Sequence, residues 1–314
     1  NFISKDLLIN YDQLFSKNKH WINCEKDINK VDSFIFKNWI ERLFFERLEQ
    51  KGTLINKVFE ETNSNWEATL FVLIAKNFGL KTNAEAFLAV ALSFDFSILR
   101  KVSQHQNQLE ALLFGQSGLL SVIKESEYHN QLRVEYHFLQ NKFNLQPILK
   151  NEIQFFRLRP NNFPTIRLSQ LASLYNIHQN LFSKLIEFET LNEFYNLFSI
   201  ETSPFWKTHF TFEKESKKSL KKLTKNFVDL LLINTIIPLK FMYLKSLGKT
   251  DFSSVLSIIE QIKPEKNTII SNFYNLKIEA VNAFETQALL QLKNEYCSKQ
   301  HCLRCSVGKE LLKS

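Results

Sequence analysis

The feature that most constrains this chain is its lack of punctuation: 314 residues carry only 6 Gly and 6 Pro. Those two residues supply most tight turns, so few reversals are available and long helices are favoured over many short strands. Phe36, Trp39, Ile40, Leu43, Phe44 and Leu48 recur at spacings of three and four, with Glu41, Arg42, Glu46 and Arg47 in the intervals. That is one apolar stripe on an amphipathic helix. Ser64 with Glu67, Thr82 with Glu85 and Thr190 with Glu193 have the spacing of capping boxes. Ser203 before Pro204 reads as a further helix start, and Gly79 and Gly248 stand where helices should stop.

Taken together, the patterns predict helices over about 3–16, 31–62, 65–78, 83–94, 106–123, 127–144, 165–178, 181–199, 204–211, 217–247, 252–262, 267–278 and 281–297. The expected class is all-α and multi-helical, as one large or two closely packed lobes, with an irregular stretch from Pro147 to Pro164. The expected division is an N-terminal helix and linker over 1–30, a first lobe over 31–150 and a second lobe over 151–314 that ends in a cysteine motif. A hydrophobic share of 44%, with 30 Phe, is enough for a sizeable core. The longest uncharged apolar run, Leu230 to Leu239, is bounded by Asp229 and Lys240. It falls short of the roughly 20 residues that span a bilayer, so a buried helix is expected and no membrane partner. No signal peptide opens the chain, and because it begins at Asn1 a preceding segment is expected.

Three of the four cysteines lie close together: Cys297, Cys302 and Cys305. Cys302 and Cys305 form a C-x-x-C knuckle, which lets two thiolates reach one ion from a tight turn. Cys297, at a helix end, can supply a third ligand. The fourth place falls to Cys24 or His301, and Cys24 is preferred because neighbouring residues such as His301 and Cys302 rarely ligate together. Zinc and an iron–sulfur cluster both take four thiolates. Four ordinary reduced thiols are the plain alternative. Lys299, Arg304 and Lys309 nearby are expected to lower the thiol pKa values. Clustering in a large, otherwise cysteine-poor chain points to a reducing, cytoplasmic setting.

A net charge of +8 suits a phosphate-rich partner. Arg157, Arg159 and Arg167 alternate with aromatics and prolines just before a predicted helix start. Guanidinium forks and free N–H groups there favour an anion. Lys214, Lys217, Lys218, Lys221, Lys222 and Lys225 are predicted to open a helix, where their charge opposes the helix dipole and a polyanion would relieve it. Pairing of the arginines with acidic neighbours, and a solvated lysine face, are the structural alternatives. Leu113 to Leu119 lacks the spacing of a nucleophile elbow, so Gly115 and Gly118 read as tight helix packing or a kink. No P-loop, dinucleotide fingerprint, zinc-protease motif or kinase set is present, and no catalytic constellation emerges.

Several segments in order resemble one family. They are Asn65-Trp66-Glu67, Leu109 to Gln116, Arg157 to Arg167, Ile233 to Pro238 and the terminal Cys297, Cys302 and Cys305. The resemblance is to the bacterial domain of unknown function 2851, and it runs from about Lys26 to Gly308. It implies a helical C-terminal part of a longer protein whose N-terminal region resembles PD-(D/E)xK nucleases, and it assigns no catalytic residue here. Nuclease-like proteins with a four-cysteine iron–sulfur staple place one cysteine early and three late, as here, although here the staple would enclose the helical part. The reading is a helical accessory region of a nucleic-acid-binding or processing protein with a structural metal. The alternatives are a protein-interaction scaffold, favoured by a large exposed Phe-rich patch, and an enzyme on a small anionic substrate.

Overall fold

A computed structural model describes residues 5–15, 20–148 and 153–313. Among them the regular elements are all helical, and extended backbone makes only two isolated bridges, Glu201 with Lys222 and His209 with Glu215. The all-α expectation holds. The chain forms two compact units, Asn1–Gly52 with Phe241–Ser314, and Thr53–Lys240. The described part of the irregular 147–164 stretch lies inside the second unit.

The first unit uses the predicted stripe. Trp39, Ile40, Leu43, Phe44 and Leu48, on the helix Ser33–Glu61, are buried. The Phe44 ring lies 4.8 Å from Phe284, and the Trp39 ring stands edge-on to Tyr296 at 5.1 Å. Burial of each such side chain contributes roughly 1.5–3 kcal/mol. This unit also holds Lys5–Leu14, Ser253–Gln261, Thr268–Asn275 and Ala283–Gln291, the last continuing through a π-helical stretch, Leu292–Cys297. A closing helix, Ser306–Lys313, was not anticipated from the sequence.

The second unit centres on the helix Gln106–Gln116, whose residues from Leu109 onward are all buried. Gly115 sits against Tyr136 of the helix Glu127–Phe143; an added Cβ would come within 2.0 Å of that ring. This is the tight packing expected of the segment. Glu110, fully buried on the same helix, accepts hydrogen bonds from the Tyr128 hydroxyl, Ser169 Oγ at 2.5 Å, Gln106 Nε2 at 3.3 Å and Trp206 Nε1 at 3.3 Å. Four neutral donors thus surround one carboxylate.

Several helix ends differ from expectation, each for a local reason. Asn65, not Ser64, caps Trp66–Phe78, accepting from the N–H groups of Glu67 and Ala68. Thr82 lies inside Leu80–Leu92 and caps nothing. The Thr190 and Glu193 capping box is present and starts Leu191–Leu197, so the predicted 181–199 helix is two, the other being Leu181–Glu187. Ser203-Pro204 opens only a 3₁₀ turn, Pro204–Lys207. The apolar stretch Lys225–Ser246 runs 22 residues, long and apolar enough to cross a membrane by composition, where the uncharged run alone was read as too short. Its Val228, Leu231, Leu232, Ile236 and Leu239 are buried, and Lys240 is accommodated because its Nζ donates to the Phe188 carbonyl at 2.8 Å.

Candidate metal centre

Cys24 lies in the short turn region before the helix Ser33–Glu61, where its carbonyl accepts from the N–H groups of Asp27 at 3.0 Å and Ile28 at 2.8 Å. Cys297 ends the π-helical stretch. The chain then reverses through Gln300, with φ of 55°, and the His301 N–H returns to the Tyr296 carbonyl at 2.8 Å. Cys302 opens a 3₁₀ turn that delivers Cys305 to the start of Ser306–Lys313. Early and late segments are cross-linked around this point. Lys293 Nζ donates to the Trp21 carbonyl at 2.8 Å, and Asn23 Nδ2 donates to Cys302 Sγ at 3.6 Å.

The result brings all four cysteines to one cavity of about 20 Å³, walled by Leu14, Ile28, Leu292, Tyr296 and Val307. Cys24 and Cys305 are buried, Cys297 and Cys302 half-buried, and none forms a disulfide. His301 is absent from the walls, and its Nδ1 donates to the Glu295 carbonyl at 3.0 Å. Among the described residues no three His, Cys, Asp or Glu side chains are closed around one point as a bound ion would hold them. The thiols share the cavity without converging.

Electrostatics at the cavity run against the sequence expectation. Burial pushes the Cys24 thiol up to about 12, with Cys305 and Cys302 adding to the rise. Burial likewise raises Cys297, then Cys24 and Cys305 raise it further. Cys302 is raised by burial and by Cys305. Cys305 is raised by burial, opposed by the backbone N–H groups of Gly308 and Val307 and, least of all, by Lys309. The neighbouring cations therefore do not govern these thiols, because desolvation in an apolar cavity outweighs them. A cation placed among the sulfurs would reverse the balance, since coordination deprotonates a thiol outright. The buried Trp39 Nε1 makes no hydrogen bond of ordinary geometry, although it lies close enough to Cys305 to stabilise a thiolate there.

Gly308 has a structural reason to be glycine. A Cβ there would stand 2.2 Å from the Cys302 carbonyl oxygen and 2.9 Å from its carbon, both main-chain atoms that cannot swing away. Gly308→Ala is expected to cost about 1–3 kcal/mol through overpacking. Thermal unfolding followed by the fluorescence of Trp21 and Trp39 would read it, and an unchanged midpoint would show that the knuckle tolerates displacement.

The expected anion-binding residues divide into two groups. Arg157, Arg159, Lys217, Lys218 and Lys222 are exposed and form no ion pair among the described residues. Arg167 and Lys221 are buried. Arg167 donates to Gln170 Oε1 at 3.0 Å and Asn162 Oδ1 at 2.7 Å, and its guanidinium lies 3.8 Å from the centre of the Phe227 ring. Burial brings its pKa down to about 10. Lys221 donates to the Trp206 carbonyl, with Nζ 4.2 Å from the Phe210 ring centre. Both are positioned as internal struts. The lysine run is not a helix start: it lies in extended chain, and the helix begins at Lys225 behind a Thr224 cap. Lys221 and Leu223 point inward while Lys222 and Thr224 point out, which is the alternation of a strand-like segment.

The family model described as protein of unknown function (DUF2851) matches residues 1–268. The chain is a DUF2851 protein. No curated protein and no solved structure matches it. The span matched to DUF2851 includes Cys24 and ends before Cys297, Cys302 and Cys305. Within that span the DUF2851 chain holds two polar constellations that sequence reasoning missed. One is the Glu110 hub. Its only signal was a carboxylate inside the apolar run Leu109 to Phe114. The other surrounds Glu67, whose carboxylate accepts from the N–H groups of Leu181 at 2.8 Å and Phe182 at 3.0 Å in place of closing a capping box.

Proposed function

We propose that the four thiols take up a single metal ion, zinc by chemistry, and that this ion clasps the first unit as a structural element. The observation that carries the reading is that Cys24, Cys297, Cys302 and Cys305 all line one small cavity. A volume of about 20 Å³ suits one water-sized particle. An iron–sulfur core is several times larger, so the dimensions favour one ion over a cluster. Binding requires the sulfurs to close in by side-chain rotation. Metal analysis of the purified chain tests the reading. About one zinc per chain is expected, lost in Cys24→Ser and in Cys305→Ser. Iron with a visible charge-transfer band would replace zinc by a cluster, and no stoichiometric metal would refute the clasp.

A second reading, binding of nucleic-acid phosphates, is supported by a separate observation. The arginine loop and the lysine segment are linked by aromatic packing: Phe155 meets Phe163 at 5.3 Å, Phe163 meets Phe210 at 6.5 Å, and Phe210 lies under Lys221. Arg157, Arg159, Lys217, Lys218 and Lys222 project from these adjoining segments. Each phosphate engaged should steepen the dependence of log affinity on log salt by about 0.9 for duplex DNA. Replacing these five by Ala should flatten the slope by that amount for every phosphate they hold. An unchanged slope, or no binding at low salt, would remove this reading. The interaction-scaffold alternative receives less support, because Phe34, Phe138 and Phe156 are the exposed phenylalanines among the described residues.

A further inference from the structure

A cavity of about 250 Å³ in the second unit is lined by Glu67, Arg100, Tyr175, His178 and Asn180, with Phe96 and Leu99 as its apolar wall. Its lining chemistry is unlike that of a packing defect. Glu67 and Arg100 carry opposite charges on one cavity; burial raises the Glu67 pKa, opposed by its backbone N–H donors and, less strongly, by Arg100. Yet among the described residues no ion pair within 4.0 Å joins them. Opposite charges that face one space without closing on each other are complementary to a dipolar guest. Glu67 is held in place by its two backbone N–H donors, each of which leaves a lone pair free on the oxygen it engages.

One further group points to a ligand. His178 Nε2 lies 2.9 Å from the Leu197 carbonyl. A carbonyl can only accept, so the proton sits on Nε2 and Nδ1 is left as an acceptor. Burial lowers the His178 pKa, which keeps this ring neutral near pH 7.

We propose that this cavity binds a free α-amino acid with a small or polar side chain, its carboxylate on Arg100 and its ammonium group on Glu67 and His178 Nδ1. The guanidinium fork matches a carboxylate in plane. The ammonium group requires acceptors, which Glu67 and His178 supply. The cavity lies just below the roughly 300–1,000 Å³ of drug-sized pockets, which sets the size class. The site lies in the second unit and is independent of the thiol cavity.

Calorimetric titration and thermal-shift measurement of the full chain against each standard amino acid test the assignment. At least one should bind and raise the unfolding midpoint. Its N-acetyl and carboxamide derivatives, each lacking one charged group, should bind at least about tenfold more weakly. Arg100 is exposed, so Arg100→Gln should leave the fold intact and weaken binding by a similar factor. Three outcomes would overturn the proposal: no amino acid binds, the acetylated and amidated derivatives bind as well as the parent, or Arg100→Gln keeps full affinity.

Discussion

On the proposed zinc-clasp reading, chelating the metal is expected to loosen the first unit more than any single substitution there. Structural zinc sites in small peptides contribute apparent binding free energies of about 10–16 kcal/mol near neutral pH. This chain has a core of its own in Trp39, Leu43, Phe44 and Leu48, so chelation should lower stability by several kcal/mol, roughly, and need not abolish folding. The tryptophans make the loss local and visible. Trp21 and Trp39 lie in the first unit, with Lys293 Nζ 4.8 Å from the Trp21 ring centre and Tyr296 edge-on to Trp39. Trp66 and Trp206 lie in the second. Single-tryptophan variants should therefore show an early transition at Trp21 and Trp39 after chelation, and an unmoved one at Trp66 and Trp206. Coincident shifts at all four, or none, would contradict a clasp confined to the first unit.

The second large effect is expected at Glu110. Its replacement by Ala would remove the acceptor shared by four donors; the Tyr128 hydroxyl keeps Ser203 Oγ and Gln106 Nε2 keeps Ser173 Oγ, while Ser169 Oγ and Trp206 Nε1, both fully buried, are left orphaned. Orphaned buried donors cost about 1–3 kcal/mol each in isolation, and partial repacking reduces the sum. A loss of about 3–5 kcal/mol is expected, comparable to breaking a buried polar pair. Glu110→Gln keeps one carbonyl oxygen but turns an N–H₂ toward donors, so it should fall in between. Denaturant unfolding of the two variants would measure both. If Glu110→Ala cost under about 1 kcal/mol, the hub would be reached by water and its geometry misread.

Periodic features were the legible ones. The stripe from Phe36 to Leu48 gave a helix and its buried face, and scarcity of Gly and Pro gave the all-α class. Charge and polarity were harder, because their partners come from distant segments. Glu67 has the spacing of a cap box yet reaches the backbone at Leu181 and Phe182, more than a hundred residues on. Arg167 and Lys221 look like free cations in sequence, but packing against Phe227 and Phe210 takes them inside. The lysine run fitted a helix start until Thr224 supplied the better cap. Valence suggests that one early thiol completes three late ones; the four line one cavity, but their sulfurs are not gathered around one point. The cavity at Arg100 and His178 carried no sequence signal, since its members come from three helices and a turn far apart in the chain.

The division of the chain also sets an order of assembly. Thr53–Lys240 is one uninterrupted stretch, whereas the first unit is assembled from residues on both sides of it. On the ribosome, Cys24 emerges well before Cys297, Cys302 and Cys305 exist. Until then Trp39, Leu43 and Phe44 lack the late helices that cover them. The helical insert, being one continuous stretch, can condense before the first unit, which must be held open until its second half is made. Closing such a long loop is slow and entropically costly. A clasp that joins one early thiol to three late ones would then mark the moment at which that unit is whole.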